Sequence, residues 1–367
     1  MTTNDKYFAV ILAGGRGERF WPLSTAARPK QLLSLVGDTP LIKQAVDRLS
    51  GLIPPDHIYV ITNQDLVEAT RSVVPALSVD NIVGEPVGRD TAAAVALGAA
   101  LLKSRRPDAV FCVLTADHVI DRLDSFRETL SSGLDYAAKE NVLITIGIPP
   151  AGPNTGYGYI KAGDIVEPST GLTTNIEFRR SLRFVEKPNV EKAREYVSAG
   201  NFYWNSGMFI WSVKSLQEAL GTHRPALNGL IDRLAGAVGS ADFSSVMAHE
   251  YENLEKISID YALMEKARNV VMAKGEFRWD DVGSWSALED HLPKDASGNV
   301  VVGSCEQVQS NGNVVVSKDR LTAQVGVHDL VVVQGDGVTL VCPKDRAQDV
   351  KKLVEKLRSD PRYREVL

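Results

Sequence analysis

Short apolar runs rich in β-branched residues alternate with amphipathic segments through about the first two hundred residues. The apolar runs predict strands over 8–13, 57–62, 81–84, 109–115 and 142–148. Helical spacing between them predicts helices over 41–52, 65–74, 91–103 and 125–139. This alternation predicts an α/β fold, with a Rossmann-like mixed, mainly parallel sheet flanked by helices. In such sheets ligands bind at the carboxyl ends of the strands.

The composition changes near 293–299, beyond which short valine-rich runs are separated by glycine and asparagine. No helical pattern follows until 345–357. We therefore predict a small C-terminal all-β module, similar to a few coils of a β-solenoid and closed by a helix. The predicted domains are 1–290 and 291–367, and the module is expected to serve packing and subunit contact. Its 77 residues are too few for a second enzyme domain, so a single activity is expected.

Charge and cysteine content restrict the partners and the compartment. The formal net charge of -5 argues against nucleic acid or an anionic membrane as a partner. Cys112, Cys305 and Cys342 are odd in number and far apart, which is typical of reduced thiols rather than of disulfides or a zinc site. The sequence shows neither a membrane-spanning apolar run nor a signal-peptide pattern. We expect a cytoplasmic protein; its oligomeric state stays open, with a homodimer as one option.

A glycine-rich turn follows the first predicted strand, in the stretch LAGGRGERFWPLS. Its glycines leave room for a ligand against the main chain, and four cations surround it: Arg16, Arg19, Arg28 and Lys30. This combination indicates a nest for phosphates. The dinucleotide fingerprint fails because Phe20 stands where its last glycine is required, and the Walker A ending is absent. An ordinary left-handed turn with solvated arginines is the alternative.

Two acidic stretches indicate a metal site beside these phosphates. Asp117 follows the predicted strand 109–115 in LTADHVI, and RWDDVGSW contains Asp280 and Asp281. A helix cap and a side-chain-bonded turn are the respective alternatives. Magnesium takes one or two carboxylates together with water and substrate phosphate oxygens. Two separated carboxylates near a phosphate nest therefore suit Mg²⁺.

Three aromatic stretches contain polar residues that packing alone does not require. They are NTGYGYI at 154–160, FVEKP at 184–188 and FYWNSGMFIW at 202–211. Aromatic walls with a few amides and acids suit a sugar. A buried strand with a bulge at Gly207 would give a similar pattern.

Over about residues 8–290, the chain resembles the nucleotide-sugar pyrophosphorylases, whose motifs it carries in the family's order. The resemblance is carried by LAGGRGERFWPLS with RPKQLL, EPVGRDTAAAVALGA, TADHVI, NTGYGYI, FVEKP, WNSGMFIW, SIDYALMEK and WDDVGSW. The forms PKQ, RDTAAA and WDDVGSW are similar to the branch that uses GTP and mannose 1-phosphate. The resemblance implies a nucleotidyltransferase fold in the first domain.

The resemblance implies that GMP is transferred from GTP to mannose 1-phosphate, giving GDP-mannose and pyrophosphate, with Mg²⁺ as cofactor. Because a sugar phosphate is already an anionic nucleophile, no general base is required, and His118 is expected to be structural. Catalysis then depends on positioning and electrostatics. Two alternatives stay open: the same chemistry with another sugar 1-phosphate or nucleoside triphosphate, and a non-catalytic regulatory protein that binds sugar nucleotides. The regulatory protein would be expected to lack a metal carboxylate or a phosphate-binding lysine.

The resemblance also implies roles for individual residues. Arg16 and Lys30 would bind the triphosphate as catalytic cations and Lys187 the sugar phosphate, whereas Arg19 could instead be a structural ion-pair partner. The implied nucleotide-binding residues are Leu12, Ala13, Gly14, Gly15, Gly17, Glu85, Pro86 and Arg89, of which the last three would surround guanine. The implied sugar-phosphate-binding residues are Gly156, Glu186, Lys187 and Asn205. Asp117 and Asp281 would hold the metal, with Asp281 preferred over Asp280 because Trp279, Asp281 and Gly283 match the family's W-x-D-x-G spacing.

Two positions depart from the family pattern. RDTAA at 89–93 stands where the family often has Arg-Asn-Thr-Ala-Pro, so Asp90 brings a charge near the expected base pocket, although it could simply cap the following helix. Thr115 stands where proline is usual, which is expected to change only the local turn. The first departure bears on the choice of nucleobase.

Overall fold

The computed structural model describes residues 4–168 and 174–367. Contacts within the chain divide it into two compact units. The larger unit comprises Met1–Gly14, Ala45–Ala116 and Ile120–Trp279, and the smaller comprises Gly15–Gln44, Asp117–Val119 and Asp280–Leu367. The sequence boundary between residues 290 and 291 stays a prediction.

The regular elements of the described residues have the following bounds. The strands are β1 (Tyr7–Leu12), β2 (Ile58–Asn63), β3 (Ile82–Glu85), β4 (Val110–Thr115), β5 (Val119–Ile120), β6 (Leu143–Ile148), β7 (Tyr159–Ile165), β8 (Phe178–Val185), β9 (Phe202–Ser212), β10 (Val270–Lys274), β11 (Trp279–Asp280), β12 (Val300–Val308), β13 (Val314–Val325), β14 (Leu330–Gly335) and β15 (Val338–Pro343). The α-helices are α1 (Leu41–Asp47), α2 (Val67–Val73), α3 (Asp90–Arg105), α4 (Leu123–Lys139), α5 (Val190–Ala199), α6 (Val213–His223), α7 (Pro225–Ala237), α8 (Phe243–Glu252) and α9 (Val350–Arg358). In the described ranges, none of the helices combines the length and the apolar character needed to cross a bilayer.

The larger unit is built on a mixed sheet with the strand order β3-β2-β1-β4-β9-β6-β10-β8-β7. β1 is parallel to β2 and β4, β2 to β3, and β6 to β10. Strands β8 and β9 run against the others. The central strands are buried along their length, as expected for parallel strands covered on both faces. The predicted α/β class and mixed, mainly parallel sheet are confirmed.

Small residues allow the helices to pack closely on this sheet. The alanine-rich helix α3 is buried over most of its length, and a Cβ at Gly98 would lie 2.8 Å from a methyl carbon of Val10 on β1. Gly133 of α4 is similarly close to Ile210 of β9. Larger side chains at these two positions would separate the helices from the strands.

Three helices are shorter than the sequence predicts, and the one predicted over 65–74 differs least, since α2 spans Val67–Val73. The predicted helix over 41–52 ends at Asp47, because the chain then enters tight turns and reaches Gly51 with a φ of 81°. The predicted helix over 345–357 begins only at Val350, and its first turns form a 3₁₀ helix over Lys344–Asp349. Helical spacing in the sequence does not distinguish an α-helix from adjoining turns with similar burial.

The C-terminal strands form a short solenoid within the smaller unit. β12, β13 and β14 are parallel, with Val300, Val314 and Val331 stacked in register, and β15 closes the sheet in the antiparallel sense. Asn313 links successive coils: its backbone N–H donates to Asn299 Oδ1, and its own Oδ1 accepts from the Leu330 N–H, each at 2.9 Å. The predicted β-solenoid-like module is confirmed.

In the smaller unit, a single hydrophobic cluster contains residues of the glycine-rich turn and residues of the solenoid. We refer to residues 15–24 of this turn as the glycine loop. Phe20 and Trp21 of the loop are buried together with Trp285 and solenoid valines such as Val314. The rings of Phe20 and Trp285 are 4.9 Å apart, and the Trp285 indole N–H donates to the Trp21 carbonyl at 3.1 Å. The loop is therefore held by the core of the C-terminal strands.

Candidate functional site

A cavity of about 380 Å³ lies in the smaller unit, at the glycine loop. It is lined by residues 16–20, Lys30, residues 117–118, residues 281–283 and Lys351. Segments far apart in sequence thus supply cations and carboxylates to one pocket. Such a pocket suits a phosphorylated ligand that carries a metal ion.

The loop conformation requires glycine at position 17. Its φ is 63°, and a Cβ there would overlap the Cβ of Lys30. The Gly17 carbonyl accepts from the Phe20 N–H at 2.9 Å, and the Arg16 carbonyl accepts from Ser24 Oγ at 2.7 Å. Arg16 and Arg19 are exposed at the pocket. Arg19 has no ion-pair partner in residues 4–168 and 174–367, so the alternative of a structural ion pair finds no support.

Lys30 is buried, with 5% of its surface exposed, and its ammonium group faces the acidic side of the pocket. Nζ lies 2.9 Å from Asp117 Oδ2 and donates to the Asp281 carbonyl at 2.5 Å. Burial alone would raise the pKa of Asp117, but the positive charges of Lys30 and neighbouring His118 outweigh it and lower that pKa below its ordinary value. Asp117 is therefore ionised at neutral pH.

The two aspartates of RWDDVGSW have different surroundings. Asp280 Oδ2 lies 2.8 Å from His291 Nε2, and its Oδ1 accepts from the Val282 N–H at 2.6 Å. Asp281 lines the cavity beside Gly283. Asp280 is thus engaged in holding the turn, whereas Asp281 shares the pocket with Asp117.

The donor set of the pocket fits a divalent cation that brings further ligands with it. Among the described residues, no group of three or more His, Cys, Asp and Glu side chains is placed to hold a metal by itself. Asp117 and Asp281 supply two carboxylates to the pocket. Magnesium needs no more from a protein when water and substrate phosphates complete its coordination.

A second set of predicted residues meets in the larger unit, at the carboxyl ends of β1, β2 and β3. β1 ends at Leu12, and the Ala13 N–H donates to the Ile61 carbonyl at 2.7 Å. The Asn63 side-chain amide donates to the Gly14 carbonyl at 3.3 Å, and a Cβ at Gly14 would lie 3.6 Å from Glu85 Oε2. The neighbouring Pro86 is exposed.

Glu85 is a buried carboxyl group, with 5% of its surface exposed. Its Oε1 has no hydrogen-bond partner in the part of the chain that the structure describes. Burial raises the pKa of Glu85 from 4.5 to about 7; the Tyr251 hydroxyl partly offsets this, and the charge of Asp90 adds to it. An orphaned acceptor at a strand end suits a ligand that donates hydrogen bonds.

Arg89 and Asp90 lie at the start of α3 and are engaged with the chain. The Arg89 guanidinium donates to the backbone carbonyls of Tyr251, at 2.9 Å, and Glu252, at 2.5 Å. Asp90 has a φ of 67°, and its Oδ1 accepts from the Thr91 N–H at 2.7 Å. Arg89 therefore ties α8 to the segment that follows Glu85, and Asp90 bonds the first turn of its helix while its charge acts on Glu85.

The predicted sugar-binding residues partly converge, also in the larger unit. A Cβ at Gly158 would lie 3.0 Å from Glu186 Oε2, and the Gly158 carbonyl accepts from the Asn205 N–H at 2.8 Å. Lys187 and Glu186 are exposed and form an ion pair at 2.9 Å. The Gly156 N–H is already taken by Asn154 Oδ1 at 2.7 Å. Gly158, rather than Gly156, is thus the glycine that borders Glu186 and Asn205.

Asn205 is oriented by an aspartate that the sequence did not single out. Its Nδ2 donates to Asp260 Oδ1 at 2.7 Å, and Asp260 begins a π-helical turn over Asp260–Met264. Burial raises the pKa of Asp260, the bond from Asn205 lowers it, and the charge of Glu186 raises it further. The bulge at Gly207, which the sequence offered as the alternative explanation of this stretch, is present, since β9 carries extra residues opposite β6 there.

The structure thus gathers Arg16, Lys30, Asp117 and Asp281 around one pocket, and places Gly14 near Glu85 and Glu186 near Asn205. The sequence did not identify Glu18 or Lys351 in the pocket, nor Gly158 and Asp260 near Asn205. The family motif SIDYALMEK contains Asp260 and could have indicated this residue. Lys351 lies on an ordinary amphipathic helix, and nothing in the sequence marks it.

Comparison with known proteins gives two family matches. Residues 8–298 match the nucleotidyl transferase family, and residues 299–357 match the mannose-phosphate isomerase/GMP-like β-helix domain. The mannose-1-phosphate guanylyltransferase of Escherichia coli K12 is 37% identical over 365 residues, which cover 98% of this chain and 75% of the relative. That of Klebsiella pneumoniae is 38% identical over 96% of this chain and 74% of the relative.

A solved structure shows the same architecture. The crystal structure of mannose-1-phosphate geranyltransferase from Thermus thermophilus is similar to this chain with a TM-score of 0.84 and 36% identity. The match covers 96% of this chain and 99% of that one. Both parts of the fold, the mixed sheet and the β-module, therefore recur together in a relative.

Proposed function

The chain belongs to the nucleotidyl transferase family as a relative of the mannose-1-phosphate guanylyltransferases, and we propose that it transfers GMP from GTP to mannose 1-phosphate. The products are GDP-mannose and pyrophosphate, and the proposed compartment is the cytoplasm. The observation that carries the proposal is the pocket in which the glycine loop, Lys30, Asp117 and Asp281 meet. The predicted resemblance to this family is confirmed, and the predicted enzyme class with it.

The triphosphate is assigned to the pocket of the smaller unit. Arg16 and Lys30 face it with positive charge, and the loop at Gly17 lies close enough to Lys30 to exclude any side chain. Backbone N–H groups of Gly15 and Gly17 would bind phosphate oxygens in such a nest. The buried ammonium of Lys30 would exchange its bond to Asp117 for a phosphate oxygen when the ligand enters, since both acceptors carry the same charge sign.

Magnesium is the proposed cofactor, with Asp117 and Asp281 as its protein ligands. When bound, the ion neutralises charge on the triphosphate and on the departing pyrophosphate. The pKa of Asp117, held below its ordinary value, keeps that ligand ionised over the neutral range. His118, buried beside it, supports this environment and is not assigned a proton transfer.

Guanine is assigned to Glu85. Guanine presents two adjacent N–H donors on one edge, and an ionised carboxylate can accept both. The orphaned Oε1 of Glu85 supports this assignment because a buried acceptor gains most from a donating ligand. Adenine presents no such pair of donors, so the same carboxylate discriminates against ATP.

Mannose 1-phosphate is assigned to Glu186, Lys187 and Asn205. The ammonium of Lys187 would bind the sugar phosphate, and Glu186 and Asn205 would bind hydroxyl groups of the mannose. Asp260 fixes the amide of Asn205, so that its orientation is set before the sugar enters. Gly158 leaves space at Glu186, where any side chain would fill the approach.

In the reaction, a phosphate oxygen of mannose 1-phosphate attacks the α-phosphorus of GTP. A new P–O bond forms as the bond between the α-phosphorus and the bridging oxygen breaks, and that oxygen leaves with pyrophosphate. No proton needs to be removed from the nucleophile, so the residues act by position and charge. Lys187 holds the nucleophile, and Arg16 and Lys30 oppose the negative charge that develops on the departing pyrophosphate.

The test is pyrophosphate release with Mg²⁺ over a grid of four nucleoside triphosphates and the 1-phosphates of mannose, glucose, galactose and N-acetylglucosamine. We expect turnover with GTP and mannose 1-phosphate. Turnover confined to another pair would overturn the ligand assignment. Binding of sugar nucleotides without turnover for any pair would contradict the enzymatic function and favour a regulatory protein.

A further inference from the structure

We propose that helix α9 of the C-terminal module forms part of the triphosphate site, with Lys351 binding the phosphates that leave as pyrophosphate. This inference rests on the proposed function for the identity of the leaving group. Lys351 lines the same cavity as Arg16, Lys30 and Asp117, although it follows them by more than two hundred residues. The family resemblance assigned no residue of this helix to the site.

Helix α9 is anchored in the same core as the glycine loop. Val350 and Val354 are 4% and 3% exposed, and they belong to the cluster that contains Phe20 and Trp21. The helix packs against the short 3₁₀ turn Glu18–Phe20 of the loop. Helix α9 therefore lies against the part of the loop that lines the pocket.

Three charged residues of α9 share one face of the helix. Lys351, Glu355 and Arg358 follow the i, i+4, i+7 spacing that puts side chains on one face of a helix. Lys351 Nζ lies 3.8 Å from Glu355, a loose ion pair that leaves the ammonium able to bind another anion. Arg358 Nη2 lies 2.6 Å from Oε1 of Glu18, on the loop.

The pair between Arg358 and Glu18 has a direct electrostatic consequence. Glu18 lines a pocket proposed to hold a triphosphate, and its side chain is only 16% exposed. A negative charge there would repel phosphate unless a cation neutralises it. Arg358 supplies that cation from α9, so the helix both adds a positive charge and cancels a negative one.

Exposure places Lys351 at the mouth of the pocket. Its side chain is 52% exposed, whereas that of Lys30, bonded to Asp117, is 6% exposed. The reacting α-phosphate belongs near the metal carboxylates, and the terminal phosphates extend towards the opening through which pyrophosphate departs. Lys351 is therefore assigned to the terminal phosphates.

The experiment measures binding of inorganic tripolyphosphate with Mg²⁺ by isothermal titration calorimetry at fixed ionic strength. Lys351→Met is expected to weaken binding roughly tenfold, the loss of one charge-assisted hydrogen bond. Lys352→Met is the matched control, because Lys352 lies next in the helix, is 79% exposed and pairs with Asp349 at 2.6 Å. It is expected to stay within about twofold of the wild type. If both variants lose affinity for tripolyphosphate equally, the effect is one of general charge, and the proposal is overturned.

A second pair of variants tests the role of Arg358. Arg358→Met is expected to weaken tripolyphosphate binding several-fold, and Glu18→Gln in that background is expected to restore it, since the charge to be cancelled is gone. Failure of the rescue, with thermal stability unchanged, would refute the electrostatic reasoning. Tripolyphosphate binding does not depend on turnover. If Lys351→Met weakens this binding but the wild type does not react GTP with mannose 1-phosphate, the result counts against the proposed function alone.

Discussion

Replacing Glu85 by glutamine should stabilise the ligand-free protein at alkaline pH and weaken its binding of GTP. The pKa of Glu85 is raised from 4.5 to about 7 by burial. A raised pKa means that the folded state holds this proton more tightly than the unfolded state does. The proton on Glu85 therefore stabilises the folded state. This contribution is complete below pH 4.5 and is lost as the pH rises through 7. At about 1.4 kcal/mol per pKa unit, the loss amounts to about 3 kcal/mol.

Thermal unfolding of the wild type and of Glu85→Gln at pH 5 and pH 8 measures this loss of stability. The wild type should lose stability between the two pH values, and Glu85→Gln should lose less by several degrees in Tm, since an amide does not ionise. Glu191→Gln, at an exposed position of the same unit, is the control and should follow the wild type. If Tm changes with pH equally in Glu85→Gln and in the wild type, ionisation of Glu85 does not destabilise the folded protein.

GTP binding supplies the second half of the prediction. A glutamine presents one acceptor oxygen where the carboxylate presents two, so Glu85→Gln should bind GTP at least about tenfold more weakly. In the wild type, affinity for GTP should fall as the pH is lowered through about 7, because the carboxyl group then binds a proton. Affinity for GTP that is independent of pH between 6 and 8 would contradict the assignment of guanine to Glu85.

Four further substitutions test the phosphate pocket. Gly17→Ala should lower Tm and raise KM for GTP, because φ is 63° and a Cβ would overlap Lys30; an unchanged KM would contradict the tight approach of loop and lysine. Asp281→Asn should lower kcat by about 10²-fold or more, whereas Asp280→Asn should lower Tm because it weakens the contact with His291 at 2.8 Å. If kinetic and melting measurements instead show the loss of kcat in Asp280→Asn and the loss of Tm in Asp281→Asn, then Asp280 is the metal ligand and Asp281 holds the turn. Lys30→Met should raise the affinity for Mn²⁺ without nucleotide, since it frees the carboxylate that the ammonium pairs with; equal affinity by electron paramagnetic resonance titration would show that Lys30 does not compete with the ion.

The architecture was predictable because it depends on repeated local patterns. The buried runs that became β1 and β4 and the alternation around them indicated a parallel sheet, and the valine-rich runs after Asn299 indicated stacked short strands. Helix ends were less predictable: α1 stops at Asp47 because turn residues continue the same burial pattern.

The composition of the pocket was only partly predictable. The glycine loop and Asp117 lie at strand ends, where sequence order and sheet topology together indicate a site. Lys351 reaches the pocket only because α9 is packed on the loop through Val350 and Val354, and such a tertiary contact leaves no local signal. The raised pKa of Glu85 likewise depends on its burial in the folded chain, which the neighbouring residues in the sequence do not indicate.

In the proposed reaction GMP passes directly from GTP to mannose 1-phosphate, without an intermediate bound covalently to the protein. Exchange of radiolabelled pyrophosphate into GTP tests this most directly. We expect exchange when mannose 1-phosphate or GDP-mannose is present and none with GTP and Mg²⁺ alone. Exchange with GTP alone would require a guanylylated protein and would contradict direct transfer.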